Sequence, residues 1–393
     1  MATKKHRGMG EGSITQRKNG RWRAQIQRDG KRVSFGADTK QECLEWLRKT
    51  LHQIDSGLDL EGGRIQLSEY LEMWLENARA TLRPKTHYQY ARIIKLHINP
   101  HIGNLPLKAI TPQRVEKLYA DLQKAGRGVR TIRYVHGILH RSLAKAVIYG
   151  LIPTNTAHGA SLPRYQHKEM LVLDSDQIGR LLAAASGNRL EALFQLAAVT
   201  GMRQAEIFGL KWTDILWSTG LMNVQRQVQR VPKQGWSFME PKTRAGRRMV
   251  PIGAGAIEAL RRQKERQAIE KAVAGKRWQE YGLVFTTAIG TPMDAHNLRK
   301  DFIAVLKEAG LPEVRFHDLR HSAASLMLNH NIPVLVVSKI LGHANPSITL
   351  NTYGHLYTES VGIAGQLMDE LVTPLRVEFA STENEVQRID KRH

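Results

Sequence analysis

The sequence predicts a multidomain protein. A small three-stranded sheet plus helix stands at the N-terminus and an all-α helical bundle in the middle. A mixed, mainly-α domain with a small antiparallel sheet stands at the C-terminus. Three observations lead there. The 393 residues exceed what one small core organises, and length alone predicts two or three domains. Apolar spacing runs at period two near the start and at helical period afterwards, returning to alternation only between residues 222 and 252. Two stretches without periodicity, residues 57 to 63 and 151 to 167, separate the blocks. The expected boundaries are residues 1 to 63, 64 to 165 and 166 to 375, followed by a charged tail from 376 to 393.

Residues 1 to 11 are rich in Lys, Arg and Gly. Asn19-Gly20 and Asp29-Gly30 are hairpin turn signals. Between them Trp22, Ala24 and Ile26 alternate with Arg21, Arg23, Gln25 and Gln27, which makes a half-buried strand with a basic outer face. Val33 and Phe35 continue the apolar face on a third strand. Thr39 is suited to cap a helix through Ile54, with Cys43, Trp46, Leu47, Leu51 and Ile54 inward.

In the middle block Leu67, Tyr70, Leu71, Trp74, Leu75 and Ala78 mark the inner stripe of a first helix. Pro84 suits the start of a second, containing Tyr88, Ala91 and Ile94. Thr111-Pro112 opens a third with Val115, Leu118, Tyr119 and Leu122 inward, and a fourth carries Ile132, Val135, Ile138, Leu139, Leu143 and Val147. Pro153 and Pro163 bracket a second linker, residues 151 to 167. In the third block Asp174 or Ser175 caps a helix, another runs from Asn188 to Thr200, and Gly201 stops it. Met202-Arg203 then sits at a turn before a short helix holding Glu206 and Ile207. One strand is expected over residues 222 to 228. Segments 236 to 240 and 247 to 252 are expected to form a hairpin whose cationic tip is Lys242-Thr243-Arg244-Ala245-Gly246. Helices near 256 to 273, 297 to 308, 317 to 329 and 333 to 341 complete the block.

A net charge of +22, with a pI near 10.2, points to a polyanionic partner, most economically DNA or RNA. Residues 1 to 50 hold 13 Lys/Arg against 5 Asp/Glu, so the open sheet face can lie against phosphates or in a major groove. Basic residues of the middle block, among them Arg83, Lys85, Arg92, Arg127, Arg133 and Arg141, suit a nucleic-acid backbone. The single cysteine, Cys43, excludes an intrachain disulfide and a cysteine-based zinc knuckle. The first 30 residues lack a signal-peptide core and no apolar run reaches transmembrane length, so an intracellular, reducing location and no membrane partner are expected.

Residues 317 to 353 gather His317, Arg320, His321, His343 and Tyr353. This set suits phosphate chemistry. Two guanidiniums, Arg203 and Arg320, can clamp the non-bridging oxygens of a phosphodiester and meet the charge that grows in its transition state. A tyrosine phenol can attack and conserve bond energy as an aryl phosphate ester. Lys242, on a hairpin tip, can protonate a leaving sugar oxygen, with Lys233 as the alternative if the register slips. His317 and His343 can hydrogen-bond the phosphate and manage the phenol proton. Two other readings compete. His317 and His321 stand at i, i+4 as in HExxH zinc hydrolases, but Asp318 replaces the glutamate and Arg320 would set a fixed charge beside a dication. A sequence-specific DNA-binding regulator without catalysis would use the charge but has no need of the tyrosine beside arginines.

The run Thr200-Gly201-Met202-Arg203-Gln204-Ala205-Glu206-Ile207, then Pro241-Lys242-Thr243, His317-Asp318-Leu319-Arg320-His321, Leu341-Gly342-His343 and Tyr353, resembles the tyrosine recombinase family of phage-type integrases in order and spacing. Residues 65 to 165 resemble its helical core-site-binding domain, and residues 12 to 55 its arm-site-binding domain. The resemblance implies a catalytic set of Arg203, Lys242, His317, Arg320, His343 and Tyr353. Tyr353 is then the nucleophile, the arginines the phosphate clamp, and Lys242 the acid for the 5′-oxygen. Glu206 would orient Arg203, and His321 is expected to be structural. It also implies an integrase that cuts and rejoins double-stranded DNA at core and arm sites without cofactor, metal or ATP. That enzyme would assemble as a homotetramer on DNA with host bending and excision factors, in the cytoplasm of a bacterial host near the nucleoid. The segment from Glu359 to Val372 is expected to be a helix that docks on a neighbouring subunit or on its own core.

Overall fold

The computed structural model describes residues 12–28, 31–55, 59, 62–165, 171–241, 243–354 and 368. The chain divides into two compact units, Met1–His167 and Lys168–His393. The architecture is the one the sequence predicts: a small sheet with one helix, then a helical bundle, then a mainly helical domain with small antiparallel sheets.

In the first unit β1 (Ser13–Gln16), β2 (Trp22–Arg28) and β3 (Lys31–Ala37) form an antiparallel sheet in that order, with Ala24 opposite both Ile14 and Phe35. The period-two pattern sends Ala24 and Ile26 inward, where they are buried together with Cys43 and Leu47 of α1 (Lys40–Asp55). Thr39 caps that helix: its Oγ1 accepts from Glu42 N at 3.2 Å, and Glu42 Oε2 accepts from Thr39 N at 3.3 Å. The opposite face carries Arg23 and Gln25. The Asp29-Gly30 turn and residues 1 to 11 lie outside the described residues.

A second, separate core belongs to α2 (Leu67–Asn77), α3 (Pro84–Ile93), α4 (Asn99–Ile102), α5 (Pro112–Lys124) and α6 (Val129–Ile148). The Tyr70 hydroxyl donates to Ser142 O at 2.6 Å inside it. The helical path continues past the end of α3. A widened π turn over Ile94–Ile98 leads directly into α4, and it stands where Pro100 cannot donate to a regular helical ladder. The expected linker after α6 is shorter than the sequence suggests. Ile152 and Ala157 are buried in the bundle core and Asn155 Nδ2 donates to His140 O at 2.9 Å, so this irregular stretch is packed down without helical periodicity.

The second unit opens with α7 (Ser175–Ala184), held by a reciprocal capping box between Asp174 and Gln177. Its centre is α8 (Glu191–Thr200), mostly apolar and mostly buried, with Val199 exposed and Glu191 and Gln195 partly buried among the rest. Phe194 of α8 meets Phe302 and Phe316 at ring distances of 5.7 and 6.4 Å. After α9 (Gln204–Phe208) come β4 (Ile215–Leu216), β5 (Leu221–Val224), β6 (Gln227–Val231), β7 (Gly235–Met239) and β8 (Arg248–Pro251). The helices α10 (Ala254–Ala274), α11 (Ala295–Glu308), α12 (Asp318–Asn329), α13 (Val334–Leu341) and α14 (Pro346–Tyr353) follow. Among the described residues no helix is long and apolar enough to cross a membrane.

Two strand expectations fail here. The stretch 222 to 228 is not one strand: β5 pairs with β4 and β8, whereas β6 pairs with β7 in a separate sheet. The break has a cause, because buried Asp214 takes Gln225 Nε2 at 2.6 Å and an ion pair from Arg226, pulling both residues out of the alternation. Nor do segments 236 to 240 and 247 to 252 form a hairpin. They pair with β6 and β5 respectively, so the residues between them cross from one sheet to the other. Apolar alternation marks a strand but does not choose its partner.

Candidate active site

The site grows around the end of α8. Gly201 stops that helix with φ +60°, and a Cβ there would lie 2.7 Å from Leu341 Cδ2 and 3.3 Å from the Ala323 Cβ. Three elements, α8, α12 and α13, thus meet where a side chain has no room. The Gly201 carbonyl accepts from Arg320 Nη1 at 2.7 Å. Arg320 is 4% exposed, and its Nη2 is buried with no hydrogen-bond partner among the described residues. Such a donor costs roughly 1–3 kcal/mol or more if nothing ever pairs with it. Burial, followed by the neighbouring Arg203, pushes the Arg320 pKa down to about 9, so it is still cationic at neutral pH.

Arg203 precedes α9 and is held by Glu206 one turn on. Glu206 Oε2 accepts from Arg203 N at 3.0 Å and Oε1 from Arg203 Nη1 at 2.8 Å, while Arg203 Nη2 donates to Gly342 O at 3.3 Å. Glu206 serves a second guanidinium, Arg248 of β8, whose Nη2 reaches Oε2 at 3.0 Å. Arg248 also donates from Nε to Ile340 O at 2.5 Å and from Nη1 to Gly246 O at 3.1 Å. One side chain therefore ties α9, the exit of the crossover loop and the end of α13. Burial opposes ionisation of Glu206, but Arg248 and then Arg203 outweigh it and hold the carboxyl below its usual range.

Gly342 ends α13 with φ +69°, turning the chain to His343. His343 is fixed by a 2.8 Å hydrogen bond between its Nδ1 and Thr349 Oγ1 on α14. Burial, then Arg320, Arg203 and Arg248, lower its pKa to about 4. His317 stands just before α12, exposed at the mouth yet crowded enough by protein atoms, and by His321 and Arg320, to fall to about 4 as well. At the end of α14, Tyr353 is 3% exposed and burial raises its phenol to about 12. Its hydroxyl shares a 2.6 Å hydrogen bond with His321 Nδ1. At neutral pH the site holds cationic guanidiniums, neutral imidazoles and a protonated phenol.

The fold thus brings together five of the six residues singled out in the sequence: Arg203, His317, Arg320, His343 and Tyr353. The sixth, Lys242, lies outside the described residues. Lys233 is exposed in the turn between β6 and β7, with φ +66°. Two further residues touch this set. His321, expected to be structural, touches the phenol, and its i, i+4 spacing from His317 was the signal: the two rings stack edge to face at 5.4 Å. Arg248 had no signal beyond its charge. Among the described residues, no three His, Cys, Asp or Glu side chains converge as metal ligands.

Two guanidiniums, imidazoles and a tyrosine thus converge around a buried N–H that has no partner among the described residues, and comparison with known proteins shows the family. Residues 171–360 match the phage integrase family and residues 66–123 match the phage integrase N-terminal SAM-like domain. A XerC-like tyrosine recombinase of Caldanaerobacter subterraneus subsp. tengcongensis is 31% identical over 359 residues, covering 86% of this chain and 92% of that protein. The fold resembles the Tn1549 transposon integrase solved with a circular intermediate DNA, with a TM-score of 0.67 at 18% identity over 77% of this chain and 99% of that one. It also resembles the lambda integrase tetramer solved on a Holliday junction, with a TM-score of 0.54 at 20% identity over 85% of this chain and 96% of that one. The chain belongs to the phage integrase family of tyrosine recombinases. It is a site-specific recombinase with its catalytic domain in the second unit.

Proposed function

We propose that this recombinase is the integrase of a phage or other mobile element, and that Tyr353 cuts DNA by forming a 3′-phosphotyrosyl bond that releases a 5′-hydroxyl. The observation that carries the reading is the buried Arg320 Nη2, unpaired among the described residues and beside Arg203, in a site that also holds neutral imidazoles and a phenol. A non-bridging phosphate oxygen is the partner such a donor lacks. Arg203 and Arg320 hold the phosphate and stabilise the charge that develops on it, an effect worth about 10²–10³-fold per donor in comparable sites. His317 and His343 donate to the remaining oxygens, His343 from the nitrogen that Thr349 leaves free. Lys242 protonates the departing 5′-oxygen. Its loop supports this role, since Gly246 and Arg248 at the loop's exit are tied to Glu206 and the end of α13.

A 5′-hydroxyl from a second duplex reverses the step, so bonds of similar type are exchanged with neither ATP nor a metal. Exchange between two duplexes takes four sites, hence a homotetramer on double-stranded DNA, the assembly in which lambda integrase was solved. Residues 1–63 bind arm sites through the basic sheet face, residues 64–165 bind the core site, and residues 166–375 catalyse. The tail from 376 to 393 and the docking segment Glu359 to Val372 lie outside the described residues, Met368 apart. Host bending and excision factors set direction, in the cytoplasm beside the nucleoid.

The test uses a duplex selected from a random pool by binding to the full chain, nicked so that cleavage is trapped. A covalent protein–DNA adduct forms in EDTA and maps to Tyr353. An adduct that persists in Tyr353→Phe overturns the assignment.

A further inference from the structure

We propose that His321 is the general base of the reaction, taking the phenol proton of Tyr353 at Nδ1 as the tyrosine oxygen attacks phosphorus. The proposal rests on Tyr353 being the nucleophile. Among the described residues the Tyr353 hydroxyl has one hydrogen-bond partner, and it is this nitrogen, at 2.6 Å. That is the separation a proton crosses without prior rearrangement. The other imidazoles are committed elsewhere. His343 Nδ1 is occupied by Thr349 Oγ1 at 2.8 Å, and His317 meets His321 edge to face rather than meeting the phenol.

The local frame keeps His321 in the form the step needs. It sits one residue beyond Arg320 on α12, half-buried, with its ring 5.9 Å from the Tyr353 ring. The charged and titratable groups that face it are Asp318, Arg320 and Arg315, together with His317, His343 and Tyr353. Burial lowers its pKa, Asp318 works against that, and Arg320 and Arg315 add to it, so the ring is a neutral acceptor at pH 7. Acceptance at Nδ1 puts the ring proton on Nε2. As the phenol O–H breaks, its proton passes to Nδ1 and the oxygen lone pair forms the O–P bond. The P–O5′ bond then breaks toward the sugar oxygen, which is protonated by the separate acid. In the return step the imidazolium gives its proton back to the tyrosine oxygen as the 5′-hydroxyl attacks, so His321 ends as it began.

The experiment is single-turnover cleavage by the full chain on the selected, nicked duplex. A second duplex carries sulfur in place of the bridging 5′-oxygen at the scissile position. Thiolate needs no protonation to leave, so sulfur relieves the loss of an acid and leaves the loss of a base untouched. His321→Ala is expected to slow adduct formation by about 100-fold or more on both duplexes, the typical worth of a positioned base. Its rate is expected to climb with pH where the wild-type rate levels off, because hydroxide then does the work of the imidazole. His321→Asn, with affinity for the duplex measured alongside, separates these effects from loss of folding.

Cleavage by folded His321 variants within about threefold of wild type across the pH range, with Tyr353→Phe inactive, overturns the base and leaves the nucleophile standing. Rescue of His321→Ala by the sulfur leaving group also overturns it, since the residue would then act on the departing oxygen. An adduct in Tyr353→Phe removes the nucleophile itself.

Discussion

Replacing Glu206 by Gln should cost the second unit far more than one lost surface ion pair. The carboxylate is 2% exposed and joins two guanidiniums, one of which, Arg248, has a side chain only 6% exposed. Removing one member of a buried pair leaves the other charge without compensation, at a cost of about 3–5 kcal/mol. The amide keeps an oxygen for one guanidinium N–H but turns an NH2 toward the other, so the lower end, about 3 kcal/mol, is the expected loss. Arg203 is 40% exposed and loses little, because water replaces the carboxylate there. Hydrogen exchange on peptides from α9 and α13, followed through urea, reads this unit without assuming that the whole chain unfolds in one step. The double variant Glu206→Gln, Arg248→Met should recover much of the loss, since an apolar pair removes the stranded charge. A loss below about 1 kcal/mol, or a strictly additive double variant, would refute the claim that Glu206 neutralises a buried arginine.

Other outcomes follow from the same geometry. Gly201→Ala strains a left-handed residue by about 1–2 kcal/mol and drives a methyl into Leu341 for a further ~1–3 kcal/mol, so thermal unfolding should fall and cleavage fall with it as the carbonyl under Arg320 shifts. His317 and His343 titrate at about 4 in the folded chain against the usual 6.5, so the unfolded chain binds more protons between those values. Stability should therefore be full above pH 6.5 and decline as pH falls toward 4; His343→Gln should flatten that slope in denaturation curves taken across the range. The carboxyl of Glu206, held below its usual 4.5, contributes stability that is full above that value and is lost as pH falls through the lower folded pKa, and Glu206→Gln should remove that acid limb. Deleting residues 1 to 60 should erase footprints at distal sites and spare the core-site footprint; an unchanged pattern refutes the arm-binding role of the basic sheet.

Much of this chain is written locally, and those parts were readable. Thr39, Pro84, Thr111 and Asp174 each start a helix where the sequence places the start, because capping and proline geometry involve only neighbouring residues. Gly201 likewise announces its own stop. Strand pairing was not readable, since β5 and β6 are parted by Asp214, a residue upstream of both. The buried Ile152 and Ala157 show the same limit: an irregular segment can be packed as tightly as a helix without showing any period. At the site, the spacing of Arg203, His317, Arg320, His343 and Tyr353 pointed to phosphate chemistry before any coordinates. The contacts of Arg248 and His321 with this set were not legible, because each depends on a partner far along the chain, Glu206 for one and Tyr353 for the other, and the spacing of His321 pointed only to His317.

The eight-residue α14 has a consequence for how an assembled recombinase counts its active protomers. It starts at Pro346, capped by Asn345 accepting from Ser347 N at 2.9 Å. It carries Thr349, which grips His343, and ends on Tyr353. Under the proposed roles, a movement that withdrew the tyrosine would also release the imidazole, and the protomer would lose attack and phosphate binding in one event. In the proposed tetramer such a subunit would be a toggle with no half-setting, which would keep an idle partner from nicking slowly while its neighbours exchange strands. Thr349→Val is the change that would unlink the two, and background nicking by waiting subunits is what it should release.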